Sequence, residues 1–462
     1  MMNMGRVVQS RVWLDMGELK KLLVLMVPLY LANLMHMGMG VVDTIVAGLA
    51  GTGELAAVAL GVSVTAPVTV AVGMVLTIAG PIISRYRGAG YESKVGLLLN
   101  TGRYAALVLL AVMLLALYGA SFAFDYVTED AMLAAKARQY VHYIMLGTPA
   151  MLLMRLAQGN FEGYGQTRPA MIISLLGLLV NIPMNFALVF GWWGLPALGG
   201  AGCGLATTFI HWLMCGGMYA LMLCSRHRGR ARQMWSNRAV EPGMLKSIFR
   251  LGVPLGVASL CEMTFFSAVV LVIAPLGELM VSAQQVAINV SGVIFMLPLS
   301  LGIAGSIRAS YHLGARDASA FDSMVRTLLT VSFGLILVFM LLTLLFRQEI
   351  VELYTDSAPV IATASVLLFY CAVYQIPDAL QVIMSGLLRG CHDTTIITWV
   401  SLGSYWIVGF PLSCILIRTD WLVPAMGPAG AWISFIVALT IAAVFFTLRF
   451  IRTRRCVFPV SR

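Results

Sequence analysis

The chain has 462 residues, 60% of them hydrophobic and only 11% charged, with a formal net charge of +10 and a mean hydropathy of +0.90. No soluble domain of this length carries such a balance, so the composition requires a polytopic membrane protein. It also argues against nucleic-acid binding, because no soluble domain remains to present the basic residues.

Residues 10–21 include Arg11, Trp13, Asp15, Glu18, Lys20 and Lys21 and suit a short interfacial helix leading into the first span. At about 20–25 residues per span, the apolar stretches accommodate twelve helices. They are predicted near 22–46, 54–83, 96–122, 138–160, 169–190, 202–224, 245–273, 280–307, 325–346, 359–387, 395–417 and 429–449. The stretches are continuously apolar rather than alternating, which excludes a barrel. Lys136, Arg138, Arg347 and Arg418 fall on one side of the membrane, and the rest of the 30 Lys and Arg lie at the termini, the opposite connections or nearby helix ends. The positive-inside rule then places both termini and the 226–238 loop in the cytoplasm. The expected organisation is an N-terminal segment 1–21, an N-lobe 22–224, a basic linker 225–243, a C-lobe 244–452 and a tail 453–462.

The two lobes are predicted from an internal repeat. Displaced by about 226 residues, Pro28 meets Pro254, Ala32 meets Ala258, Gly51 meets Gly277 and Ala57 meets Ala283. Ser84, Gly88 and Ala89 meet Ser310, Gly314 and Ala315, and at slightly larger displacements Gly163 meets Gly390 and Gly202 meets Gly430. Six is even, so both halves enter the membrane from the same side and are parallel repeats. The eight cysteines contain no C-x-x-C pair and read as small buried residues rather than a disulfide or metal framework. No cleavable signal is evident, since the first apolar stretch runs on through a full span.

Three of the twenty acids lie inside spans: Asp43 in the first, Glu262 in the seventh and Asp378 in the tenth. An intramembrane acid costs a few kcal/mol and is a functional-site candidate by default. Tyr374 precedes Asp378 by four residues and shares its helical face. Pro377 between them weakens the local backbone ladder. Two carboxylates, a phenol and freed carbonyls would make an oxygen-rich cation site. Asn181 and Asn185 share a face of the fifth span, and Thr207 on the sixth adds a hydroxyl; with Asp43 they form either an interhelical polar clamp or a hard-cation site. Phe265, Phe266 and Phe295, together with the 28 methionines, would line an adaptable apolar cavity for cationic amphiphiles. Asp356, in the connection after the ninth span, would attract cations to its mouth. His36 reads as a hydrogen-bonded core histidine.

The segments Val42-Asp43-Thr44, Leu55-Ala56-Ala57-Val58-Ala59-Leu60-Gly61, Arg87-Gly88-Ala89-Gly90, Pro196 to Gly204 and Leu388-Arg389-Gly390-Cys391-x-Asp393-Thr394 resemble the multidrug and toxic compound extrusion (MATE) family. Glu262 and the Tyr374-x-x-x-Asp378 pair are similar to its bacterial NorM-like branch. The resemblance spans nearly the whole chain. It implies an all-α membrane protein with two six-helix lobes around a central cavity, exporting lipophilic organic cations in exchange for Na⁺ or H⁺. It also implies that Glu262, Tyr374 and Asp378 bind the coupling ion, and that Asp43, Asn181, Asn185 and Thr207 form the N-lobe polar cluster. Some relatives carry an acid where Asn185 stands, which makes the cluster here less negative. No other cofactor is expected, and the chain is expected to act as a monomer in a bacterial inner membrane. A lipid-linked oligosaccharide flippase of the same superfamily is the alternative; it would line its cavity with arginine. An intramembrane enzyme is disfavoured, because the six histidines give no H-E-x-x-H spacing.

Overall fold

A computed structural model describes residues 14–128, 130–224, 229, 240–421 and 424–459. Twelve long helical rods dominate them. They are α1 (Met16–Ala50), α2 (Thr52–Gly88, interrupted at 77–78), α3 (Lys94–Ser121), α4 (Ala131–Gly163), α5 (Arg168–Phe190) and α6 (Ala201–Cys224). After the basic linker, most of which lies outside the described residues, come α7 (Pro242–Ile273), α8 (Glu278–Ala315), α9 (Ala318–Leu345), α10 (Ala358–Gly390), α11 (Thr395–Arg418) and α12 (Pro428–Val457). Eleven of these are long and apolar enough to cross a membrane. The exception, α4, has the length but carries Lys136, Arg138, Arg155 and Glu162, which lower its hydropathy. Two of those charges are neutralised locally: Lys136 pairs with Glu54 of α2, and Arg138 with Asp125.

Two expectations change at the ends of the chain. No separate interfacial helix covers 16–21: those residues are the first turns of α1, continuous with the span. Residues 10–13 lie outside the described residues. Asp15 starts the rod there, its Oδ1 accepting from the Gly17 and Glu18 amides at 2.8 and 3.3 Å, as an N-cap does. At the other end α12 continues to Val457, so the predicted tail is helical as far as that residue.

The repeat is visible in backbone detail. Gly51 before α2 and Gly277 before α8 adopt φ of +136° and +106° with ψ near 160°, a conformation L side chains rarely reach. At Gly163 of α4 a Cβ would fall 2.9 Å from the Gly80 carbonyl oxygen of α2. At Gly390 of α10 it would fall 2.6 Å from the Ser306 carbonyl oxygen of α8. At Gly202 of α6 and Gly430 of α12 a Cβ would likewise fall 2.7 Å from the Leu188 and Leu416 carbonyl oxygens. The same small residue therefore sets the same helix crossing in each half.

The chain divides into two compact units, and three of their four limits fall inside helices. One comprises 28–264 with 394–399; the other comprises the residues before Pro28, 265–393 and the residues from Val400 onward. In the first unit, Gly252 and Gly256 of α7 lack side chains and let it approach the Val75 and Ala71 carbonyls of α2. In the second, the start of α1 is tied to α8 and α9. Glu18 accepts from Arg308 at 2.7 Å, Ser323 donates to Asp15 at 3.0 Å, and the Asp15 amide donates to Thr327 at 3.1 Å.

α11 is not a regular α-helix throughout. Leu402–Gly409 is wound as a π-helix, immediately before Pro411. Proline has no N–H to continue the α ladder, and π segments gather at such interruptions.

Candidate functional site

The four polar residues expected in the N-lobe meet at one point. Asp43 Oδ1 accepts from Asn185 Nδ2 at 2.8 Å and Asn181 Nδ2 at 3.3 Å, and its Oδ2 accepts from Thr207 Oγ1 at 3.0 Å. Asn185 Nδ2 also donates to the Asn181 carbonyl at 3.0 Å, which the four-residue spacing on α5 makes possible. Asp43, Asn181 and Asn185 are buried. The carboxylate is thus held by neutral donors. The Oδ1 atoms of both asparagines are buried with no hydrogen-bond partner among the described residues. In the same unit His36 Nε2 lies 3.3 Å from Ser174 Oγ, so the histidine is hydrogen-bonded as expected but half-buried.

In the other unit Tyr374 and Asp378 are buried together on α10, the phenol donating to Asp378 Oδ1 at 3.4 Å. They line a small cavity with Ser291 and Phe295 of α8 and with Gln375. Its free volume is about 10 Å³, close to what one water-sized group needs. An aromatic shell supports Tyr374. Trp432 stands edge-on at 5.3 Å between ring centroids, and Phe266 and Phe435 at 6.5 and 6.4 Å. Trp432 is itself fixed by donating to Gln284 Oε1 at 3.0 Å.

Not every residue singled out from the sequence reaches this cavity. Phe295 lines it. Phe265 is fully buried, stacked on Tyr405 at 5.6 Å, and serves as packing rather than as cavity surface. Phe266 packs on Phe435 at 4.7 Å. Asp356 is exposed in the connection before α10. Glu262 lies on the part of α7 that belongs to the other unit. Among the described residues none forms a hydrogen bond or ion pair with its carboxylate, which is an unusual state for an intramembrane acid.

Gln375 is the residue that sequence reasoning passed over. It is 4% exposed, and its Oε1 is buried without a hydrogen-bond partner. It stands three residues before Asp378, so helical spacing puts both on one face of α10. A glutamine inside an apolar span is the signal that could have identified it. A carboxylate, a phenol and a hydroxyl beside one water-sized space make a donor set that fits a small monovalent cation.

Comparisons with known proteins agree with this architecture. The model of the MatE family matches residues 28–187 and 254–415. The multidrug resistance protein NorM of Photobacterium profundum is 37% identical over 433 residues, covering 94% of this chain and 95% of the relative. The multidrug resistance protein MdtK of Yersinia pseudotuberculosis is 37% identical over 442 residues, with the same coverage. Among solved structures, the eukaryotic MATE transporter AtDTX14 superposes with a TM-score of 0.85 at 21% identity, over 96% of this chain and 98% of that one. An outward-facing MATE family multidrug resistance transporter superposes with a TM-score of 0.84 at 18% identity, over 96% and 97%. At those identities the structural likeness speaks for the twelve-helix fold alone. Family model, relatives and fold together establish that the chain belongs to the MatE family, the MATE transporters its motifs resemble.

Proposed function

We propose that this chain is a secondary antiporter of a bacterial inner membrane that exports lipophilic organic cations in exchange for Na⁺. The observation that carries the reading is the small cavity that Tyr374, Asp378 and Ser291 line together, where their oxygens offer ligands to a small cation. The names of the relatives, multidrug resistance proteins, support drug export; the cationic character of the drugs rests on the acids inside the spans. Glu262 is assigned to the same coupling step on the strength of the resemblance and of its unpaired carboxylate. The protein acts as a monomer, with both termini in the cytoplasm.

Coupling follows from charge. Cation entry neutralises acids that otherwise attract a positively charged drug, so ion and drug compete. Exchange of one monovalent ion for one monovalent drug moves no net charge. The drive is then the ion's concentration ratio, about 1.4 kcal/mol per tenfold. Each additional ion entering adds about 2.3 kcal/mol per 100 mV. The neutral N-lobe donors hold Asp43 in place, and that cluster is read as a structural clamp that a second cation could enter.

Efflux of a lipophilic cationic dye from proteoliposomes tests the reading. An inward Na⁺ gradient at equal pH on both sides is expected to drive it. Glu262→Gln and Asp378→Asn are each expected to abolish it while the protein still purifies as a folded monomer. Export driven by a pH gradient without Na⁺, and not by Na⁺, would replace Na⁺ with H⁺. Equal export of cationic and anionic dyes of similar size would defeat the substrate assignment.

A further inference from the structure

We propose that Gln375 is a further ligand of the coupling cation, presenting its side-chain carbonyl oxygen to the space shared by Tyr374, Asp378 and Ser291. The inference rests on the Na⁺ reading above and identifies a group that the reading did not contain.

The hydrogen-bond network fixes which way the amide points. Thr343 of α9 donates its hydroxyl proton to the Phe339 carbonyl at 2.8 Å, one turn back in its own helix. A hydroxyl has a single proton, so toward Gln375 the Thr343 oxygen can only accept. Gln375 Nε2 lies 3.0 Å from that oxygen and is the donor. The amide is therefore anchored by its nitrogen, and reversing it would set two acceptors against each other. Oε1 occupies the other branch of the amide, buried and without a hydrogen-bond partner among the described residues. Thr343 does not line the cavity; Gln375 does, beside Asp378 and Tyr374.

A bare amide oxygen next to a carboxylate is unfavourable in a dry interior unless something electropositive lies between them. A proton carried by Asp378 needs no such oxygen, and an amide does not titrate. A dehydrated metal cation does need it, because protein oxygens must replace its water shell. The neutral ligand also suits release: it adds an oxygen without adding charge, so the ion is coordinated but not trapped.

The test is equilibrium binding of ²²Na⁺ to the purified full chain in detergent at pH 8, followed by scintillation proximity. Gln375→Met, of similar length and without the oxygen, is expected to weaken Na⁺ binding about tenfold or more, the loss of one interaction with a charged group. Thr343→Val removes the amide's anchor but leaves Oε1 in place, and is expected to weaken binding less than Gln375→Met. Gln375→Glu adds a carboxylate at the same position. It is expected to bind Na⁺ at least as tightly as the parent at pH 8 and several-fold more weakly at pH 5.5, with a steeper pH dependence than the parent. This variant carries the test if Gln375→Met does not purify as a folded species. Parent-like affinity in Gln375→Met, or a parent-like pH profile in Gln375→Glu, overturns the assignment and leaves the oxygen facing a water. Absence of saturable Na⁺ binding by the parent protein removes the Na⁺ reading itself, and Gln375 with it.

Discussion

The seam between α8 and α10 is a place where a single methyl group should have a large measurable effect. In Gly386→Ala the new Cβ would sit 2.4 Å from the Gly302 carbonyl oxygen and 2.8 Å from Gly302 C and Cα, where ordinary contact begins at 3.4 Å. Its neighbours are backbone atoms, so no side chain can rotate away. Relief requires the helices to part by about 1 Å, a strain of the kind that overpacking produces at about 1–3 kcal/mol. One turn further on, Ser310 Oγ donates to the Gly390 carbonyl at 2.6 Å. Parting by that amount carries this bond past hydrogen-bonding range, at a further cost of about 1 kcal/mol. The two terms together give a destabilisation of about 2–4 kcal/mol. The same seam joins Ser291 and Phe295 to Gln375 and Asp378, so Na⁺ affinity should fall along with stability.

The control is Gly334→Ala on α9, where nothing lies within 4 Å of the added Cβ. Relieved of glycine's low helix propensity, that variant should be neutral or more stable by up to about 1 kcal/mol. Thermal unfolding in detergent, read by size-exclusion fluorescence, compares the pair directly. Equal midpoints for Gly386→Ala and the parent, with unchanged ²²Na⁺ binding, would refute the claim that backbone contact sets this crossing.

Three further outcomes are expected. Asn185→Leu removes the shortest donor to Asp43, at 2.8 Å, and should cost about 1.5–3 kcal/mol by chemical denaturation; Asn185→Ser should restore part of it. Asp393, in the connection between α10 and α11, is raised in pKa by burial. Hydrogen bonds from Arg449 and Thr453 outweigh that and hold it below its usual 3.8. Its contribution to stability is therefore complete above about pH 5 and is lost as pH falls through the lowered value, so the gap in melting midpoint between parent and Asp393→Asn should close on acidification. A cysteine at residue 237 on a cysteine-free background should react with permeant thiol reagents only; labelling by an impermeant reagent from outside the cell would reverse the predicted orientation.

The rods and their repeat were legible because apolar runs, spacing prolines and small residues are written at the same offsets in both halves. Gly163 and Gly390 could be paired from sequence, and both turn out to sit on a neighbouring backbone carbonyl. The N-lobe cluster was legible for a related reason: each member is a polar residue in an apolar span and has few places to go. The C-lobe site was only half legible. Asp378 and Tyr374 stood out through charge and spacing, whereas Gln375 did not, since the search weighed acids and a neutral amide is silent until its partners are known. Phe265 and Phe266 misled for the opposite reason, because a phenylalanine that packs inside the helices looks the same in sequence as one that lines a cavity. The unit limits were not legible at all. Nothing in the spacing of Gly252 and Gly256 says that α7 approaches α2 there.

Asp43 and Asp378, two of the three intramembrane acids, are held in different ways, and the difference bears on which of them suits the proposed cation exchange. Asp43 accepts from three neutral side chains at 2.8–3.3 Å, a set that stabilises the anion without any ion present. A cation arriving there gains the two unpartnered asparagine oxygens but must compete with donors already in place. Around Asp378 the Tyr374 contact is long, at 3.4 Å, and the neighbouring amide turns its donors to Thr343 instead of to the carboxylate. An acceptor beside an acid is favourable when a positive charge comes and goes between them, which is what the proposed exchange asks of the Asp378 site.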